Sequence, residues 1–225
     1  GDGLLRDRVR SALRALPDIG RALGRLVARR GGPRDLGQLR DGLEQAHMLH
    51  DLLSGVAPMP QLLEALLPRL SGHEPLIQLL RRALVASPPI DAAQGGYIAE
   101  GYDPALDALR GQGGEGRKAI AALEARYRAE TGITSLKIRH NGVLGYHIEV
   151  QARHADPLMA ADSGFTHRQT LAGVVRFNAP DLHEQAMKVG QSGEHALAAE
   201  AEHLEELIGT ALAGTSGIAA TADAL

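Results

Sequence analysis

The chain has 225 residues, enough for one large domain or two smaller ones with an apolar core. It has no cysteine, which excludes a disulfide framework and thiolate metal sites. Its formal net charge of −3 excludes a bulk electrostatic attraction to nucleic acid.

No apolar run approaches the roughly 18 residues of a membrane span, and no signal-peptide pattern opens the chain. Together with the missing cysteine this suits a cytoplasmic protein. With four Tyr, two Phe and no Trp, the core has to come from Leu, Ile, Val and Ala, as in helix packed on helix. The chain begins Gly1-Asp2-Gly3 without Met and stops at Leu225 without a capping signal, which reads as a piece of a longer protein.

In chain order, Leu5, Val9, Leu13, Leu16, Ile19, Leu23, Leu26 and Val27 recur at spacings of three and four, predicting one helix or two broken near Pro17. Gly31-Gly32-Pro33 stops that run, and Asp35 opens another with Leu36, Leu39, Leu43, Met48, Leu49 and Leu52. Residues 55–60 read as a loop, 61–70 and 74–86 as shorter helices, and Pro88-Pro89 as a break. Gly95-Gly96-Tyr97-Ile98 looks extended, and Asp103-Pro104 starts a helix.

The glycine-rich stretch Gly111 to Gly116 resembles a linker, and each helical glycine costs about 1 kcal/mol relative to alanine. Yet positions 106, 109, 113, 116, 120, 123 and 127 stay in phase across it, which a linker need not do. This predicts one helix over about 104–131, with glycines that let a partner helix come close. The partner is the run at 182, 186, 189, 193, 197, 200, 204 and 208, where Glu200 is the mismatch. Two long antiparallel helices with a β segment between them make a stalk with a tip.

The tip stands out from the helical chain. Residues 134–150 alternate, turn at Asn141-Gly142 and alternate back. Leu136 and Ile138 fall on one face of the first strand, Lys137 and Arg139 on the other. Val143, Tyr146, Ile148 and Val150 belong to the return strand, and residues 164–177 could supply further strands.

Charge is uneven along the chain. Residues 134–180 hold five Lys/Arg against three Asp/Glu, while 181–225 hold one against eight. An anion-binding surface must therefore be local. Lys137, Arg139, Arg168 and Arg176, with Asn141, Gln169 and Thr170, are residue types that contact phosphates. A solvated hairpin surface is the equal alternative on these residues alone.

Other chemistries fit less well. Gly111 and Gly116 have P-loop spacing, but Arg117-Lys118-Ala119 follows where Lys then Ser or Thr is needed. His47, His50 and Asp51 could share a helix face but lack a further ligand at recognisable spacing. The carboxylates at 200, 202, 205 and 206 read as a solvated acidic face.

The stretch from Ser135 to Val150, followed by His167 to Val189, resembles the MutS family of DNA mismatch repair proteins. The carrying motifs are a Leu-Lys strand, Asn at the turn, Gly-Tyr-x-Ile, then Arg-Gln-Thr-Leu and Pro-x-Leu before a long helix. Residues 16–43, with Pro33-Arg34-Asp35-Leu36, and 95–110 are similar to family segments too, so the likeness covers nearly the whole chain in order.

The resemblance implies a mainly α protein: a multi-helix lever with two long antiparallel helices carrying a small inserted antiparallel β clamp. Residues 1–129 and 183–225 would be the lever and 130–182 the clamp, which grips the duplex backbone without reading sequence. The DNA-facing loops carry over onto Asn141, Gly142, Val143 and Leu144, and onto His167 to Gly173. Ala172-Gly173 stands where relatives often carry polar or basic residues, so contact there would be through backbone or weaker.

ATP and Mg would belong to an ATPase domain elsewhere, so no cofactor and no enzymatic activity are expected here. Implied partners are double-stranded DNA, a second copy of the full-length protein and a MutL-type protein, at the nucleoid. The competing expectation is a helical scaffold whose tip binds protein.

Overall fold

The computed structural model describes residues 3–225. These divide into two compact units, one of residues up to Asp103 together with Leu197–Leu225, the other Pro104–Ala196.

The first unit is helical. α1 (Gly3–Ala15) and α2 (Ile19–Val27) are separated at Pro17, and α3 runs Pro33–Ser54. Proline opens α3 at its first position, where the lost N–H costs nothing. Asp35 sits two residues further in. Its carboxylate accepts the Gly32 N–H at 2.9 Å and pairs with Arg25 Nε at 3.0 Å. α4 (Gln61–Leu66) continues into a tighter turn over Leu67–Leu70, and α5 is Glu74–Ala83.

Ala22, Leu26, Leu36, Leu39, Leu43, Leu80 and Ile218 are almost fully buried. α2 packs on α3 and on the terminal helix α9 (Thr215–Ala224), and α3 packs on α5. After α5 the chain turns extended, and Leu84 bridges Ile98. Buried Arg40 caps this return by donating to the carbonyls of Val85 and Ala86 at 2.9 and 2.7 Å.

His73 ties this unit to its last helix. Its Nε2 lies 2.8 Å from Thr221 Oγ1, whose single proton goes to the Arg69 carbonyl. The hydroxyl can then only accept, so His73 donates from Nε2. Burial lowers the His73 pKa from its ordinary 6.5. A depressed histidine contributes stability that is full above 6.5 and lost as pH falls through the lower folded value. Thermal melts across pH 5–7 should therefore show stability rising with pH, with a shallower rise in His73→Gln.

The second unit holds α6 (Pro104–Thr131), a four-stranded sheet, the short α7 (Asp156–Met159) and the start of α8 (Pro180–Ala213). α6 passes unbroken through the glycine run, as its phase predicted, and ends at Gly132 with φ 69°. It lies antiparallel to α8: Gly113 approaches Ser192, Gly116 approaches Val189, and Arg126 and Tyr127 both bond Asp181.

The α8 stripe differs from expectation. Gly193 and Leu197 are exposed, while Leu182, Ser192, Glu200, Leu204 and Leu207 are buried. Midway along the stripe Ser192 is buried in place of Gly193, where Gly113 of α6 comes close.

The strands are β1 (Lys137–Asn141), β2 (Gly145–Gln151), β3 (Thr166–Leu171) and β4 (Val174–Asn178), all antiparallel in the order β1-β2-β4-β3. One face buries Leu136, Ile148, Val150, Val175 and Phe177 with Ile120, Tyr127 and Leu182 of the helices. Edge strand β1 is held by α6: Glu124 accepts the Ile138 N–H at 2.7 Å, and Arg128 donates to the Leu136 carbonyl at 2.7 Å.

Candidate nucleic-acid interface

Alternation sends every second residue of β1 away from that core, and Lys137 and Arg139 are exposed there as expected. Pairing then builds a row across the sheet. Lys137 is opposite Glu149, Glu149 is opposite Arg176, and Arg176 is opposite Gln169. Arg139 lies one step along, opposite His147.

The row is bonded in its middle. Arg176 Nε donates to Glu149 Oε2 at 3.1 Å and Nη1 to Gln169 Oε1 at 3.0 Å. His147 is 2 % exposed. Its Nδ1 is 3.0 Å from the Gly145 carbonyl, and its Nε2, with no hydrogen-bond partner, lies 4.0 Å from Glu149.

The first turn departs from the two-residue form expected at Asn141-Gly142. Asn141 pairs with Gly145, so the loop holds three residues, and the left-handed position is Gly145 with φ 66°. Asn141 Oδ1 accepts the N–H groups of Val143 and Leu144 at 2.9 and 2.8 Å, so these amides are used inside the loop. Val143 is therefore a loop residue, 91 % exposed, rather than part of the return strand.

On β3 the register shifts between His167 and Gln169. The bulge leaves Arg168 without a partner residue on β4 and places Gln169 opposite Arg176. His167 packs its ring edge-on to Phe177, and its Nε2 is 2.9 Å from Thr170 Oγ1. The second hairpin turns at Ala172-Gly173, with Gly173 at φ 83°.

The ten residues singled out in the sequence do not form one patch. Lys137, Arg139, Gln169 and Arg176 share the outer face, and Arg168 stands exposed at the bulge beside them. Asn141, Gly142 and Val143 lie at one end of β2. Thr170 belongs near the 172–173 turn, whose Gly173 carbonyl accepts the Ala152 N–H at the other end. The two turns are thus about 20 Å apart along the six-residue rise of β2. His167 belongs to the opposite face from Arg176.

Sequence reasoning missed Glu149, the carboxylate inside the row. Its signal is its in-phase place on a strand opposite Lys137, which becomes legible only once the loop length is known.

Outside the sheet, His47 Nε2 and His50 Nδ1 reach Asp51 at 3.8 and 3.1 Å. Among the described residues no helix is long and apolar enough to cross a membrane.

Residues 101–195 match the model of MutS family domain IV. DNA mismatch repair protein MutS of Zymomonas mobilis is 62 % identical over 224 residues, covering 100 % of this chain and 26 % of that protein. MutS of Erythrobacter litoralis is 59 % identical with the same two coverages, and MutS of Nitrobacter winogradskyi is 44 % identical, covering 94 % of this chain and 24 % of its own length. The chain thus spans about a quarter of the length of these relatives. With a domain IV match laid over the sheet and its two supporting helices, and close likeness from end to end, the chain belongs to the MutS family of DNA mismatch repair proteins.

Proposed function

We propose that the sheet, residues 130–182, is a clamp that holds duplex DNA by its backbone without sequence preference. Residues 1–129 and 183–225 then form the lever that couples the clamp to an ATPase domain of the full-length protein. In this reading the stretch itself carries no catalytic site. Full-length partners are a second copy and a MutL-type protein, at the nucleoid.

The observation that carries the reading is the outer face. Lys137, Arg139 and Arg168 are exposed, and among the described residues their side chains have no hydrogen-bond or ion-pair partner. Phosphate contacts need such free donors and carry no sequence information. The sheet offers few aromatics for stacking on single strands, which favours duplex. The competing reading, a tip that binds protein, is supported by Val143 at 91 % exposure.

Duplex binding by the 225-residue chain across salt separates the two. The expected dissociation constant at moderate salt is ~10⁻⁴–10⁻⁶ M. The K137E/R139E/R168E variant should lose most of this affinity and flatten the salt slope by roughly 2–3, at about 0.9 per phosphate contact. Binding that ignores both salt and these substitutions would favour a protein-binding tip, and no binding at low salt would overturn the clamp.

A further inference from the structure

We propose that Glu149 restrains the grip, holding Arg176 inside the sheet and lowering the affinity of the outer face for phosphate. This rests on the clamp reading above. The pairing puts a single carboxylate in a row that otherwise presents only cations and an amide to an approaching backbone.

Arg176 and Glu149 are in contact at 3.1 Å, with side chains 21 % and 24 % exposed. Two of the five guanidinium N–H groups are committed, one to Glu149 and one to Gln169. The remaining edge is fixed in direction, and its charge is cancelled by the carboxylate beside it. A phosphate at this row therefore meets Lys137 alone as net charge, and to engage Arg176 it has to compete with Glu149. The buried His147 ring, 4.0 Å from the same carboxylate, backs that position.

A weak, non-specific contact suits a clamp that has to move along DNA, since electrostatic binding lets proteins slide. The restraint sits in the middle of the sheet rather than in either turn. Its removal should change strength and salt dependence without changing sequence preference.

The direct test is E149Q in this chain, measured by fluorescence anisotropy with labelled duplex from low to moderate salt. Gln keeps the size and an acceptor for Arg176 Nε, so only the charge changes. Affinity at low salt should rise about threefold, the scale of one partly exposed charge pair. The salt slope should steepen by about 0.9 as Arg176 takes up a phosphate, and R176Q added to E149Q should cancel both gains. A purely structural role for Glu149 would lower the melting temperature and leave the slope where it was.

If E149Q does not fold, E149T makes the same charge change with a β-branched residue suited to a strand. Salt-dependent binding by the wild type with E149Q equal or weaker overturns this inference alone. Absence of binding by both overturns it together with the clamp.

Discussion

Glu200→Ala is expected to destabilise the helical unit by about 2–3 kcal/mol, or roughly 5–10 °C in melting temperature for a chain of this size. Glu200 is only 2 % exposed although it lies on the most acidic helix of the chain. Its two carboxylate oxygens accept the backbone N–H groups of Gly96 and Tyr97 at 3.0 and 3.3 Å. Alanine leaves those donors without their acceptor, and at buried Tyr97 a donor left unmade costs more than the bond itself contributes.

The loop comes this close because residue 95 is glycine. Its φ is 65°, and a Cβ there would stand 2.6 Å from Leu197 Cδ2. Glu200→Gln keeps an acceptor oxygen but loses the charge-assisted bond, at about 1 kcal/mol. Burial first, and the Glu200 charge second, push the Tyr97 phenol up to about 12. An absorbance titration should then find this tyrosine ionising at lower pH in the Gln variant. Hydrogen exchange at Gly96 and Tyr97 is the sharpest readout, because both amides should exchange faster in the Ala variant. Unchanged protection there would mean that another acceptor holds the loop.

The same residue marks where sequence reading succeeds and where it stops. Glu200 was visible as an exception in an apolar stripe, but nothing local reveals that its partners lie about a hundred residues earlier. The opposite holds for the glycine run at 111–116. There phase alone predicted helix, because burial of one face repeats at the helical period whatever residues occupy it.

The sheet was legible as far as its faces, since Leu136 and Ile138 alternate with Lys137 and Arg139. Its register was not. A two-residue turn at Asn141-Gly142 would set Lys137 opposite Tyr146, whereas the three-residue loop sets it opposite Glu149. The difference rests on one left-handed glycine, Gly145, at the end of the loop. The bulge at Arg168 is equally silent in sequence, and it decides that Gln169 rather than Arg168 meets Arg176. The candidate contact residues of the tip could thus be named in advance, but their division between two faces and two ends of the sheet could not. DNA enters only through the proposed reading; the arrangement of charge comes from geometry.

Gly116→Ala should destabilise the second unit by up to about 2 kcal/mol, against the normal preference of helices for alanine. An added Cβ would lie 2.5 Å from Val189 Cγ2, too close for any pair of carbons. Valine on a helix has essentially one favoured rotamer, so it cannot swing aside cheaply, and the two helices must separate or strain. Overpacking of this kind costs about 1–3 kcal/mol, and about 1 kcal/mol returns as helix propensity.

The other glycines of the run provide the contrast. A Cβ at Gly111 or Gly114 meets nothing within 4 Å, and at Gly113 it makes ordinary contacts of 3.6 Å and beyond. Alanine at 111 or 114 should therefore stabilise by up to about 1 kcal/mol. Val189→Ala alone should cost stability, yet in the Gly116→Ala background it should restore part of it, giving a double-mutant coupling of about 1 kcal/mol or more. Urea melts of the four single variants and the pair decide the matter. A stabilising Gly116→Ala would show that the helices do not depend on close approach at this point. A loss confined to position 116 and repaired at 189 would locate the contact that joins the two long helices beneath the sheet.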